Sequence, residues 1–156
     1  MNNRYHCLTE FIDEIMVICP QCQDRAVVIS DKSNRRNTRL SCMNCGLTKK
    51  WNGNPSTYYI SKKEYKNFGI LLGHPFDCYF NLPLWYTVDV KGHTLFAYNL
   101  NHLDFLEQFI SSTVRNRSKT TYGWSNKSLE SRLPKWIQSA KNRNLLLRKI
   151  NTLKSK

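Results

Sequence analysis

The chain has 156 residues, with 24 Lys+Arg against 11 Asp+Glu and a formal net charge of +13. Leu, Ile, Val and Phe fill 39 positions, a quarter of the chain and enough to build a core, so wholesale disorder is excluded. No apolar run is long enough to cross a bilayer, and Met1-Asn2-Asn3-Arg4-Tyr5-His6 lacks the apolar centre of a signal peptide, so we expect a cytoplasmic protein.

Four short β-prone runs bounded by turns come first. They are Ile15-Met16-Val17-Ile18, Ala26-Val27-Val28-Ile29, Thr38-Arg39-Leu40-Ser41 and Leu47-Thr48-Lys49-Lys50-Trp51. Cys19-Pro20-Gln21-Cys22 joins the first two, and Cys42-Met43-Asn44-Cys45 joins the last two. Nineteen residues separate the pairs. Two cysteines three apart across a tight turn can set both thiolates on one tetrahedral ion, and two such turns complete a closed four-sulfur site. The spacing is that of a zinc site, and a reducing interior argues against disulfides. A lone pair of this kind could be a redox dithiol, but no thioredoxin-like βαβ pattern surrounds either one. Gly46, just past the second pair, allows the positive φ that a chain doubling back requires.

Each cysteine turn thus sits at the end of a hairpin, which predicts a zinc ribbon within residues 1–52. One structural zinc ion would be held by Cys19, Cys22, Cys42 and Cys45. Asp31 to Asn37 is polar and should form the exposed loop between the two halves. A closed site braces the chain and leaves no position for activated water. Four thiolates leave the centre at about −2, lowering the net charge to about +11.

Residues 53–156 should form an α+β region with basic C-terminal helices. Asn52-Gly53-Asn54-Pro55-Ser56 reads as a linker and Tyr58-Tyr59-Ile60 as a short strand. Leu82–Val90 and His93–Tyr98 flank Lys91-Gly92, which predicts a small antiparallel hairpin, with Pro83 at its start or on an edge. Leu84, Trp85, Leu95, Phe96 and Tyr98 are candidates for one packed face. Leu103, Leu106, Ile110 and Val114 recur at helical spacing. Asn101 is the expected cap of that helix, with Asp104 and Glu107 near its positive end and Arg115 and Arg117 at its negative end. Ser118 to Trp124 reads as a loop. Beyond it, Leu129, Leu133, Trp136, Ile137 and Ala140 share one helical face, and Leu146, Ile150 and Leu153 share another. Pro134 and Asn142 should interrupt or restart the helix.

Charge is uneven along the chain. From Arg115 to Lys156 there are twelve Lys/Arg and one acid, Glu130, while the first 114 residues carry only +2. Ile15–Trp51 forms a second basic cluster, with seven cations and two acids. Clustered charge predicts a polyanion partner, whereas a solvated basic surface is the plainer reading of any single side chain. The residues expected to meet phosphates are Arg25, Lys32, Arg35, Arg36, Arg39, Lys49 and Lys50 on the ribbon. Arg132, Lys135, Lys141, Arg143, Arg148 and Lys149 join them from the C-terminal helices. Trp51 or Trp124 could stack on an exposed base. The partner class is nucleic acid, DNA or RNA, or a nucleoprotein assembly. Two alternatives are a protein-interaction adaptor docking on a larger machine and a peripheral membrane protein.

No small-molecule substrate is expected, and no catalytic motif is present. His74-Pro75-Phe76-Asp77-Cys78 is the one suggestive cluster. His93 should cap the hairpin, His102 should be a structural helix residue, and Cys7 and Cys78 should be buried thiols.

The cysteine hairpins resemble the transcription factor IIB type of zinc ribbon. The segments Leu82-Pro83-Leu84-Trp85, Gly92 to Asn99, His102 to Glu107, Ser128 to Trp136 and Ser139 to Arg143 resemble a bacterial family of zinc-ribbon-containing proteins. The resemblance covers about two thirds of the chain. It implies the ribbon and no defined activity.

Overall fold

A computed structural model describes residues 7–53, 58–60, 63–65, 72–112 and 129–156. A 3-10 turn at Leu8–Phe11 leads into a sheet of four antiparallel strands in chain order, β1 (Glu14–Ile18), β2 (Arg25–Ser30), β3 (Thr38–Ser41) and β4 (Thr48–Lys50). Period-two alternation decides which face each residue covers. Ile15, Val17, Ala26, Val28, Thr38 and Leu40 point inward and are buried, while Met16, Ile18, Val27, Ile29 and Arg39 lie on the other face. β4 ends the sheet, and its three residues are exposed.

The opposite edge is not free. Ile18 donates its backbone N–H to the Pro83 carbonyl at 2.9 Å, and Trp85 donates to Met16 at 2.9 Å. The Met16 N–H is turned instead to the carbonyl of Tyr98, at 2.8 Å. β1 is therefore bonded on both sides. Leu84 in turn donates to Pro75, and Asp77 to Leu82, so 75–77 adds a further row outside 82–85. This use of its edges explains why Leu82–Trp85 is not part of the predicted hairpin strand, which starts only at Tyr86.

Residues Tyr58–Ile60 (β5) and Lys63–Tyr65 (β6) pair antiparallel. The next hairpin is β7 (Tyr86–Val90) and β8 (His93–Ala97), closed by Lys91 and Gly92 with φ of +53° and +79°. Two positive φ values in a two-residue turn match the right-handed twist of the strands. The helix α1 (Leu100–Ser111) follows directly. Its cap is Asn99, not Asn101: Asn99 Oδ1 accepts the His102 N–H at 2.9 Å. With the start two residues earlier, Asp104 and Glu107 lie beyond the first turn. Both instead meet Lys154, at 2.5 and 2.6 Å.

After a 3-10 turn at Leu129–Arg132, Pro134 occupies the cap of a one-turn helix α2 (Lys135–Gln138). Another 3-10 turn, Ala140–Asn142, precedes the longer α3 (Arg143–Lys154). The restarts fall where Pro134 and Asn142 were expected to force them. Leu146, Ile150 and Leu153 are buried, and α3 lies against α1 and β7. Burying each such side chain contributes about 1.5–3 kcal/mol.

The fold is mixed α+β, with antiparallel sheets and C-terminal helices. Ile15, Val28 and Leu40 of the cysteine sheet belong to the same buried cluster as Leu84, Leu95, Leu103 and Leu146. The expected aromatic face divides: Leu84 and Leu95 are buried while their neighbours Trp85 and Phe96 are half-buried, and Tyr98, just past the end of β8, is buried. Val114, Arg115, Arg117 and the loop 118–124 lie outside the described residues.

Candidate metal centre and basic surface

The two cysteine turns repeat one backbone scheme. Cys19 N–H donates to Asp24 and Gln23 N–H returns to Cys19, at 2.8 and 3.0 Å. In the second turn Cys42 donates to Leu47 and Gly46 returns to Cys42, again at 2.8 and 3.0 Å. The residue four after the first cysteine takes positive φ in both, +63° at Gln23 and +75° at Gly46. Glycine reaches that conformation without steric cost, whereas Gln23 carries strain that the turn must hold. The Gln23 side chain helps by donating from Nε2 to the Cys19 carbonyl at 3.3 Å. Aligning C-P-Q-C-Q with C-M-N-C-G would have revealed the equivalence of Gln23 and Gly46.

All four sulfurs lie within 4.8 Å of one another. Cys19 Sγ is 3.6 Å from Cys45 Sγ, and Cys22 Sγ is 3.6 Å from Cys42 Sγ. Sulfurs about 2.3 Å from a tetrahedral ion stand about 3.8 Å apart, whereas a disulfide brings them to about 2.05 Å. The separations fit ligation, and all six cysteines are free. Cys19 and Cys42 are buried, and Cys22 and Cys45 half-buried. The Gln21 N–H points at Cys19 Sγ from 3.4 Å, a donor suited to a thiolate.

Charge is distributed unevenly among the thiols. The Asn44 side chain, followed by the Asp24 backbone, lowers the Cys22 pKa to about 6. At Cys45 the Leu47 backbone favours the thiolate, but burial and the three neighbouring sulfurs override it and raise the pKa to about 12. Clustered thiols resist simultaneous ionisation, and a bound cation removes that conflict. The set could hold one metal ion.

The cationic residues divide by exposure. Arg25, Lys32, Arg36, Arg39, Lys49 and Lys50 are exposed on the sheet and its loop, and Arg132, Lys135, Lys141 and Arg148 on the C-terminal segments. Arg143 and Lys149 are half-buried. Arg35 departs from the expectation of a free phosphate contact, because its guanidinium meets Asp13 at 2.5 Å. Trp51 also departs from its expected stacking role. It is half-buried, with its ring edge-on to Tyr79 at 5.2 Å between centroids. Trp124 lies outside the described residues.

The remaining candidates are built into the fold. The Asp77 carboxylate accepts backbone N–H groups from Tyr79, Phe80 and Leu82 at 2.9, 2.7 and 2.6 Å, fixing the turn before Leu82. Burial raises its pKa against those three bonds. Cys78 is buried, and burial followed by the Asp77 charge pushes its pKa up to about 12, which holds it as an unreactive thiol. Cys7, in contrast, is half-buried. His74 is half-buried in the same loop. His102 is buried against Phe11, with rings stacked 4.5 Å apart, and its Nδ1 accepts the Tyr98 N–H at 3.2 Å. His93 stacks on Trp136 at 4.8 Å, so it joins the hairpin to the C-terminal segment instead of capping the turn.

Comparison of the chain with protein-family models, curated proteins and solved structures gives no match.

Proposed function

We propose that the chain is a zinc ribbon of the factor IIB type whose metal braces a non-catalytic binding protein for nucleic acid or a nucleoprotein assembly. Four soft thiolates at tetrahedral spacing suit zinc, and a closed sulfur set favours a structural ion. Cys19, Cys22, Cys42 and Cys45 would hold it. The bound ion supplies folding free energy, because no such site exists in the unfolded chain.

The observation that carries the binding reading is the outer side of α3. Asn144, Arg148, Asn151 and Thr152 are exposed there, with Lys141 exposed in the turn just before it, and α3 itself contains no acidic residue. The cation on this helix that does meet carboxylates, Lys154, lies on another side, against α1. Exposed lysine and arginine among amide and hydroxyl side chains suit phosphate oxygens, which fix register without reading sequence.

The test is a salt titration of binding to labelled single- and double-stranded oligonucleotides. Affinity should fall steeply with salt, because each neutralised phosphate releases counterions. Replacing Lys141, Arg148 and Lys149 with Glu should flatten that slope and leave zinc content and melting unchanged. Binding that is insensitive to salt, or equal in the variant, would overturn the reading. Metal analysis of purified protein, with absorbance to exclude iron–sulfur chromophores, tests the ion itself.

A further inference from the structure

We infer that the outer face of the cysteine sheet docks an acidic protein segment bearing apolar side chains. The strand register assembles this face. Phe76 pairs with Pro83, Pro83 lies beside Ile18, and Ile18 pairs with Arg25, forming one row. A second row runs from Glu14 through Ile29 and Arg39 to Lys50. Between them, Val27 pairs with Met16 on one side and Ser41 on the other. Directly opposed residues in antiparallel strands share a face, so these rows form one surface.

The apolar part of that surface, from Phe76 across to Val27 and Ile29, is incompletely covered. Phe76 and Ile29 are 41% and 40% exposed, and Ile18 and Val27 are half-buried. Arg25, Arg39 and Lys50 are exposed along its β2–β4 side. Glu14 is the one carboxylate in these rows. Asp24, next to Arg25, is engaged at 2.6 Å by the Arg25 backbone N–H. An apolar patch flanked by exposed charge has the make-up of a protein interface.

Charge complementarity identifies the occupant. Carboxylates would answer the three cations, while apolar side chains would cover Ile29, Val27 and Phe76. A nucleic-acid strand is less suited: Ile18, Val27 and Ile29, nearest the cations, offer neither a ring for a base nor a donor for a phosphate. Phe76 lies at the far end of its row, and Lys156 already covers the Trp85 ring at 4.3 Å. A second copy would bring the same three cations against themselves. This surface is separate from α3 and does not depend on the phosphate reading.

The test is selection of a displayed random-peptide library on the full-length protein. Recovered peptides should carry Leu, Ile or Phe flanked by Asp or Glu. Their affinity should fall about tenfold or more for Ile29→Asp, and likewise for the double variant Arg39→Glu with Lys50→Glu. Both variants change exposed side chains, and unchanged metal content and melting serve as the folding control. The α3 charge-reversal variant should bind the peptides as well as wild type does, whether or not oligonucleotides bind. Peptides that lack acids, or that bind both variants undiminished, would overturn the proposal. Oligonucleotide affinity lost in Ile29→Asp would assign the face to nucleic acid instead. A dimer abolished by Ile29→Asp would assign it to a second copy.

Discussion

The side-chain amide of Asn99 donates to the Glu14 carbonyl at 2.8 Å, tying the start of α1 to the first strand of the cysteine sheet. The same amide donates to Phe11 at 2.9 Å, while Asn99 Oδ1 caps the helix through His102. One buried residue thus satisfies three backbone groups.

Asn99→Ala should therefore cost about 3 kcal/mol, combining a lost cap with two carbonyls left without their donor. Asn99→Asp separates the roles, because it keeps the capping oxygen and loses the donor. Denaturant titration should place Asp close to Ala. A fully stable Asp variant would show that the cap alone matters.

Cys19→Ser and Cys42→Ser should each lose the metal ion and melt at lower temperature, because ligation there stabilises the fold. Chelator should destabilise wild type and leave both variants unaffected. The measurement pairs metal analysis with thermal melting. Wild-type metal content in either variant would remove these cysteines from the ligand set.

His102 gives a pH prediction. Burial lowers its pKa from the ordinary 6.5 to about 3, so the folded state holds it neutral where the unfolded chain binds a proton. Stability should therefore fall as pH drops through that window, by about 1.4 kcal/mol per pH unit. His102→Asn keeps an acceptor for the Tyr98 N–H and removes the titration. The difference between the two stability curves should shrink towards acid pH and isolates this group from protonation of the thiols. Parallel curves would contradict the buried neutral imidazole.

Much of the cysteine sheet was legible because its signals are local. Turn residues and apolar alternation determine where each hairpin folds, and cysteine spacing brings four sulfurs together. The helix face of Leu103, Leu106 and Ile110 was visible for the same reason, as were the breaks at Pro134 and Asn142. What escaped depended on distant partners. Asn101 looks like a cap by spacing alone, but Asn99 is held by Phe11 and Glu14, which are remote in sequence. Leu82–Trp85 reads as strand, yet its pairing with β1 has no local trace. Arg35 reads as a free cation by local sequence, because its partner Asp13 lies 22 residues away. Gln23 carries no marker of the left-handed backbone that Gly46 advertises.

The outer end of the cysteine sheet has a consequence for solubility. β4 presents an edge, and two of its three residues are Lys49 and Lys50. An exposed edge invites strand-by-strand self-association into aggregates, and lysine side chains oppose it because approaching copies repel. Replacing both with threonine would preserve strand propensity and remove that repulsion, so light scattering of concentrated protein should rise. These lysines therefore act as gatekeepers for keeping the chains dispersed.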